Sequence, residues 1–225
     1  AGQRSGNPSM KQVRIYQIYY DAKSHQALDP GFEPLNNLAN ERPDWREFWP
    51  MRATFSAAPP DENEYVGFFS AKFRLKTGRT AERVSHFMAS TTTTPDVFLF
   101  SPFADQSAAY NVFEQGNWWH SGVFECSQLF LDAVGFEVDL RQLPTHSGNT
   151  VFCNYVVARP RFWRAWLGLN EQLFQIAERQ IGELGRRLNS MVLHDGRSDV
   201  PMKVFVMERV ATLLLAGTSD FAVQA

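Results

Sequence analysis

The sequence predicts an α/β domain built on a mixed, mainly parallel sheet with helices on both faces. Three observations carry that expectation. Runs of β-branched and aromatic residues alternate along the chain with helical segments. One run, DVFLF at 96–100, is apolar over four consecutive positions, as strands covered on both faces are. A chain of 225 residues, 44% hydrophobic and 14% aromatic, can also bury one sizeable core.

The elements follow in order. The opening stretch AGQRSGNPSM (1–10) is polar, has no apolar centre of the kind a secretory signal needs, and reads as a flexible tail before a single domain at 11–225. VRIYQIYY (13–20) reads as the first strand. DPGFEPLNNLANERP, with three prolines and four Asn/Asp residues, reads as a long ordered loop. DWREFWPMRATF (44–55) has helical spacing of Trp45, Phe48, Trp49 and Phe55, with Asp44 as N-cap and Pro50 as a defect. EYVGFFSAKF (64–73) is a second strand, TAERVSHFMAS (80–90) a short helix capped by Thr80, and DVFLF the third strand. SAAYNVFEQGNWW and GVFECSQLFLDAVG (122–135) read as two helices broken at Gly116. TVFCNYVVA (150–158) is another strand and RPRFWRAWLGLNEQLFQIAERQIGELGRRL (159–188) one long amphipathic helix. PMKVFVMERVATLLLAG (201–217) opens with Pro and closes with Gly, the expected asymmetry of a helix.

Composition excludes several classes. With 22 basic and 24 acidic side chains the net charge is −2, so nothing points to nucleic acid or to polybasic membrane docking. Cys126 and Cys153 make no disulfide framework and no metal-ligand spacing, and a cytoplasmic setting fits them. Apolar windows such as VATLLLAG are far short of a membrane span. TTTT at 91–94 is a short linker and no internal repeat is present. P-loop, dinucleotide-binding, nucleophile-elbow and zincin motifs are all missing.

In parallel sheets the ligand crevice lies outside the carboxyl ends of the strands. Here those ends carry Tyr19-Tyr20-Asp21, Ser70-Ala71-Lys72 and Ser101 to Gln106. Asp105 is a candidate catalytic base or cation ligand, or else the N-cap of the next helix. Lys72, with Arg74, could face phosphate or stand in solvent. Trp118 and Trp119 could stack on a sugar or base, or pack in the core. His120 could be an acid/base group or a structural histidine. Tyr16, Gln17, Tyr19 and Tyr20 could flank a nucleobase, with Tyr16 equally a core residue. Glu208-Arg209, in the apolar run MKVFVMERVATLLL, is either a structural tie or a catalytic contribution from the helix, because an unmatched buried pair costs several kcal/mol.

The patterns YQIYYD, LDPGF-x-PL, RPDW-x-E-x-WP, LFSPF-x-DQ, EQG, VFCNY and FWRAWL resemble those of a glycosyltransferase-like family from bacterial surface-polysaccharide clusters. The likeness runs from about Val13 to Leu215. A more distant likeness is to capsule-type transferases of the type A glycosyltransferase fold. The resemblance implies transfer of a sugar from a nucleotide-sugar donor to a glycan or glycolipid acceptor, beside other glycosyltransferases, in the cytoplasm or peripherally at the inner membrane. With such a donor, the first strand end (Tyr16, Gln17, Tyr20) and the Asn36-Asn37 loop would hold the nucleotide and Lys72 would face phosphate. Asp105 and Gln106 would face the sugar or a cation, manganese or magnesium, and Trp118, Trp119 and His120 the acceptor. Glu47 falls on an acidic helix position, Glu208 and Arg209 on a Glu-Arg pair, and Gln115 and Asn154 lie in EQG and VFCNY. The chain departs from the pattern with SAKF for SPKF and has no Asp-x-Asp for a metal. A non-catalytic glycan- or nucleotide-binding module is the alternative.

Overall fold

The computed structural model describes residues 12–103, 108–194 and 198–225. Its first half runs β1 (Gln12–Tyr19), α1 (Ala22–Gln26), β2 (Glu33–Asn36), α2 (Phe48–Ala57), β3 (Glu64–Ser70), α3 (Phe73–Thr77), α4 (Ala81–Ser90) and β4 (Val97–Leu99). The second half runs α5 (Val112–Trp119), α6 (Val123–Val134), β5 (Val156–Ala158), α7 (Pro160–Glu178), α8 (Gly182–Leu188), β6 (Met191–His194), β7 (Ser198–Pro201), α9 (Met202–Gly217) and β8 (Val223–Gln224).

The main sheet has the order β2-β1-β3-β5-β4-β8. β1 pairs in parallel with β2 and β3, and β4 with β8, while β5 runs antiparallel to both its neighbours. The fold is therefore α/β with a mixed, mainly parallel sheet flanked by helices. β6 and β7 form a separate hairpin.

Strand periodicity sorts the core into two layers. Tyr65, Phe69, Phe98, Phe100, Tyr155 and Val157 point to one face, where Phe73 of α3 and Val84 and Met88 of α4 cover them. Val66, Phe68, Val97, Leu99, Val156 and Ala158 point to the other, beneath α2, α7 and α9. On that side α9 buries 13 of its 16 residues, which is why MKVFVMERVATLLL is apolar nearly all round.

Several expectations are corrected here. Asp44 caps no helix: it lies in a 3₁₀ turn at Pro43–Trp45, and α2 starts only at Phe48. Pro50 sits in the first turn of α2, where its missing N–H removes no helical bond. The long loop contains the edge strand β2. α5 runs through Gly116 and breaks instead at His120–Gly122, where Gly122 has φ 93°. The 159–188 helix divides at Arg179–Ile181 into α7 and α8. Only Val156–Ala158 of the 150–158 run is strand, because Cys153 and Asn154 have φ of 61° and 54°. The stretch read as a tail lies outside the described residues.

One buried cation ties together the elements that cover the α9 face of the sheet. Lys203, near the start of α9, is 3% exposed, and its Nζ donates to Asp44 Oδ2 at 2.6 Å and Asn189 Oδ1 at 3.0 Å, lying 4.6 Å from the Trp45 ring centroid. Arg42 donates to both Asp44 oxygens and, at 2.6 Å, to Glu178 at the end of α7. Burial works against the Asp44 carboxylate, but hydrogen bonds from Arg42 and Lys203 outweigh it and hold the pKa at about 2.

Lys203→Met leaves Asp44 half-matched, so a loss of about 3 kcal/mol is expected in urea denaturation. A carboxylate held at about 2 stabilises the fold fully above its ordinary value of 3.8 and loses that contribution as the pH falls through 2. The melting temperature should fall between those two values, and less steeply in Asp44→Asn.

Candidate functional site

The sheet places the carboxyl ends of β1, β3 and β4 beside the amino end of β5, and a cleft of about 1120 Å³ opens there. Tyr20 follows β1, Ser70 to Lys72 end β3, Phe103 follows β4, and Phe152 and Cys153 precede β5; all of them line it. Arg46 and Glu47, just before α2, form another wall, and Gln115 and Trp119 of α5, His120 directly after it, and Leu193 and His194 of the β6–β7 hairpin line the cleft as well. Val204, Phe205, Glu208 and Arg209 of α9 supply the remaining side.

Local chemistry fixes the first wall. Asp21 caps α1 in a reciprocal box with Ser24, whose hydroxyl also accepts from Tyr20 N, so the chain turns sharply out of β1. The buried Gln17 donates to Ser70 O at 3.1 Å and accepts from Asp29 N at 2.7 Å, joining the ends of β1 and β3 to the following loop. Lys72 precedes the short helix α3, and one turn later Lys76 donates from Nζ to Cys153 Sγ at 3.1 Å. At the opposite wall His120 stacks on Phe205 with centroids 3.7 Å apart, and His194 lies 5.2 Å from His120.

Backbone strain concentrates at this cleft. Among the described residues six non-glycine residues have positive φ, and four of them, Asn40, Arg46, Phe103 and Cys153, line it. Each such conformation costs of order 1–3 kcal/mol and persists where the surroundings over-determine it.

The charges are as selective. Arg46, Lys72, Lys76 and Arg209 oppose Glu47 and Glu208 among the described lining residues, a surplus of two positive charges in a chain whose net charge is −2. Burial, and then the charge of Glu47, push the Glu208 carboxyl up to about 6 against the pull of Arg209, Lys76 and Arg46. Burial opposes the Lys76 ammonium, but Cys153 and then Glu47 and Glu208 outweigh it and its pKa rises. Burial lowers Arg209 to about 10.

Glu208 and Arg209 divide the two roles read for the pair. Arg209 donates from Nη1 to Phe205 O at 2.8 Å and from Nε to Val112 O at 3.2 Å, clamping α9 to the start of α5. Glu208 is half-buried and opens to the cleft.

Of the sequence candidates, Tyr20, Asn37, Glu47, Lys72, Gln115, Trp119, His120, Glu208 and Arg209 line the cleft together. Five others lie outside its lining. Tyr16 stacks on Phe68 at 5.2 Å, Gln17 is spent on backbone ties, and Asn36 accepts from Leu38 N at 2.9 Å in an Asx turn. Trp118 is 70% exposed, and the buried Asn154 donates to Met207 Sδ at 3.5 Å. Asp105 and Gln106 fall outside the described residues, so the cation read for Asp105 does too. The described residues contain no group of three or more His, Cys, Asp or Glu placed to hold a metal ion. Sequence reasoning missed Arg46, Lys76, Cys153 and His194. Only Lys76 carried a signal, its i+4 spacing from Lys72 after a strand. Cys126 and Cys153 are unpaired; Cys126 is buried and Cys153 half-buried.

No family model matches the chain, and neither a curated protein nor a solved structure matches it. No helix among the described residues is long and apolar enough to cross a membrane.

Gly116 makes the clamp fit. A Cβ there would lie 2.1 Å from Arg209 Nη2 and 2.6 Å from its Cζ, and Arg209 is held on both sides by carbonyls. Gly116→Ala should therefore cost about 1–3 kcal/mol, the range of overpacking a closed site, although alanine favours a helix. A thermal melt unchanged or raised by the substitution would show that Arg209 can move aside.

Proposed function

We propose that the chain transfers a sugar from a nucleotide-sugar donor to a hydroxyl of a glycan or related acceptor, on a fold of the type A glycosyltransferase kind. The observation that carries this reading is the cationic cleft at the strand ends, which holds Glu208 with its carboxyl raised to about 6. A diphosphate leaving group carries the negative charge that Arg46, Lys72 and Lys76 would neutralise, and a carboxylate titrating near neutrality suits a general base.

In the transfer step the acceptor oxygen bonds to the anomeric carbon of the sugar. The bond from that carbon to the diphosphate oxygen breaks, its electron pair leaves with the diphosphate, and the acceptor proton passes to Glu208. Trp119 and His120, across the cleft from Lys72, offer stacking surface and a hydrogen-bonding ring to the acceptor. Tyr20 and Asn37 flank the donor end.

The test is release of nucleoside diphosphate from a panel of nucleotide-sugars. Activity should rise with pH through about 6 and then level, because the base must be ionised. Glu208→Gln should lower kcat by on the order of a hundredfold and remove that limb. The variant should melt no lower than the parent at pH 8. A carboxyl whose folded pKa lies above its unfolded value penalises the fold fully above about 6 and not at all below 4.5. Turnover at the parent rate by Glu208→Gln would reject Glu208 as the base. Tight nucleotide binding with no release on any donor would favour the binding-module alternative.

A further inference from the structure

We propose that Lys76, rather than Lys72, is the seat for a phosphoryl group in this cleft, and that Cys153 is the group which such a ligand displaces from it. The inference rests on the phosphate-binding part of the preceding proposal and is independent of sugar transfer.

The two lysines differ in what surrounds them. Lys72 is exposed on the rim, where water screens its charge. Lys76 is half-buried, and no carboxylate lies within ion-pairing distance of it among the described residues. Its ammonium rests against the Cys153 sulfur at 3.1 Å and stands 5.9 Å from the Tyr155 ring centroid. A thiol is a weak acceptor, and a half-desolvated ammonium held by one is under-satisfied. A phosphoryl oxygen would replace it with a charge-assisted hydrogen bond.

The backbone supports the same assignment. Cys153 and Asn154 are successive non-glycine residues at φ 61° and 54°, and that kink presents the Cys153 sulfur to Lys76 at the mouth of β5. Strain of this kind is kept where geometry matters. Cys153 is thus a native reporter: a ligand on Lys76 covers it. Cys126, buried in α6, is the internal control.

The experiment measures alkylation of both cysteines by N-ethylmaleimide in the full chain, using mass spectrometry at fixed ionic strength. Inorganic pyrophosphate, uridine diphosphate and sodium chloride form the three arms, and calorimetry gives the affinities. Pyrophosphate should slow Cys153 several-fold and leave Cys126 unchanged, with chloride having no effect. Added protection by uridine diphosphate would assign the phosphate to a nucleotide, and equal protection to a bare phosphoryl group. Lys76→Met should abolish protection and weaken pyrophosphate binding by at least about tenfold, the scale of a charge-assisted hydrogen bond. Lys76→Arg should restore much of both, and Lys72→Gln should change them far less. Should Lys76→Met fail to fold, Lys76→Gln, which keeps a polar donor without the charge, carries the same expectation. The inference falls if pyrophosphate binds without protecting Cys153, or if protection survives in Lys76→Met and is lost in Lys72→Gln. In either case the transferase reading stands. If uridine diphosphate protects Cys153 but no donor is turned over, the seat stands and the transferase reading falls.

Discussion

The cleft exists in this form because a buried ammonium is matched on three elements at once. Lys203 is inside the protein, and an unmatched charge there would be untenable. Its partners come from the turn before α2, from α7 at 3.8 Å and from the residue after α8. Satisfying that one charge fixes α9 relative to the segment that carries Arg46 and Glu47. Glu208 lies five residues further along α9 and Glu47 three residues beyond Asp44, so both reach the cleft from a common anchor. The opposition of those two carboxylates, which helps to keep Glu208 near 6, is a consequence of the anchor.

Charge is distributed against the average of the chain. An overall net charge of −2 coexists with a cleft carrying a positive surplus. The exposed ion pairs, such as Arg164 with Glu62 and Arg187 with Glu183, contribute little energy each. They do neutralise arginines elsewhere on the surface. Among the described residues the cleft keeps four cations against two carboxylates, and of these Lys76 and Arg209 are withdrawn from bulk solvent, where a charge is worth more than it is in water.

Much of the fold was legible in the sequence, because strand and helix periods are local. The β-branched and aromatic enrichment of VRIYQIYY and EYVGFFS and the strong apolarity of the α9 segment announce their elements directly. What the sequence hid depends on partners far along the chain. Asp44 looked like a helix cap and is instead held by Lys203, 159 residues away. Gly116 looked like a break and is instead room for the Arg209 guanidinium. Cys153 and Asn154 looked like strand, since no local signal marks two left-handed non-glycine residues. At the site, Glu47, Lys72 and Glu208 were read from the sequence, while Arg46 and Lys76 close by, and Cys153 and His194 from other segments, were not. Gln17 and Asn154 show the converse: polar side chains beside a site can be consumed entirely by the backbone or by a neighbouring sulfur.

The adjacent pair Glu208-Arg209 shows how one helix can serve both ends. Consecutive helical residues point about 100° apart, so a single step along α9 turns from the cleft into the α5 interface. Arg209 spends its donors on carbonyls of α5 and α9, which holds the helix against the wall bearing Gln115, Trp119 and His120. Glu208 keeps its carboxylate for the cleft. The arginine charge acts on it through the short path between them, one of three cationic influences that offset part of the burial. Remove the arginine and two things change together: the α5 wall loses its clamp, and the carboxyl loses the strongest pull toward ionisation. Structure and acidity at this site are therefore set by the same side chain, and a substitution of Arg209 cannot alter one without the other.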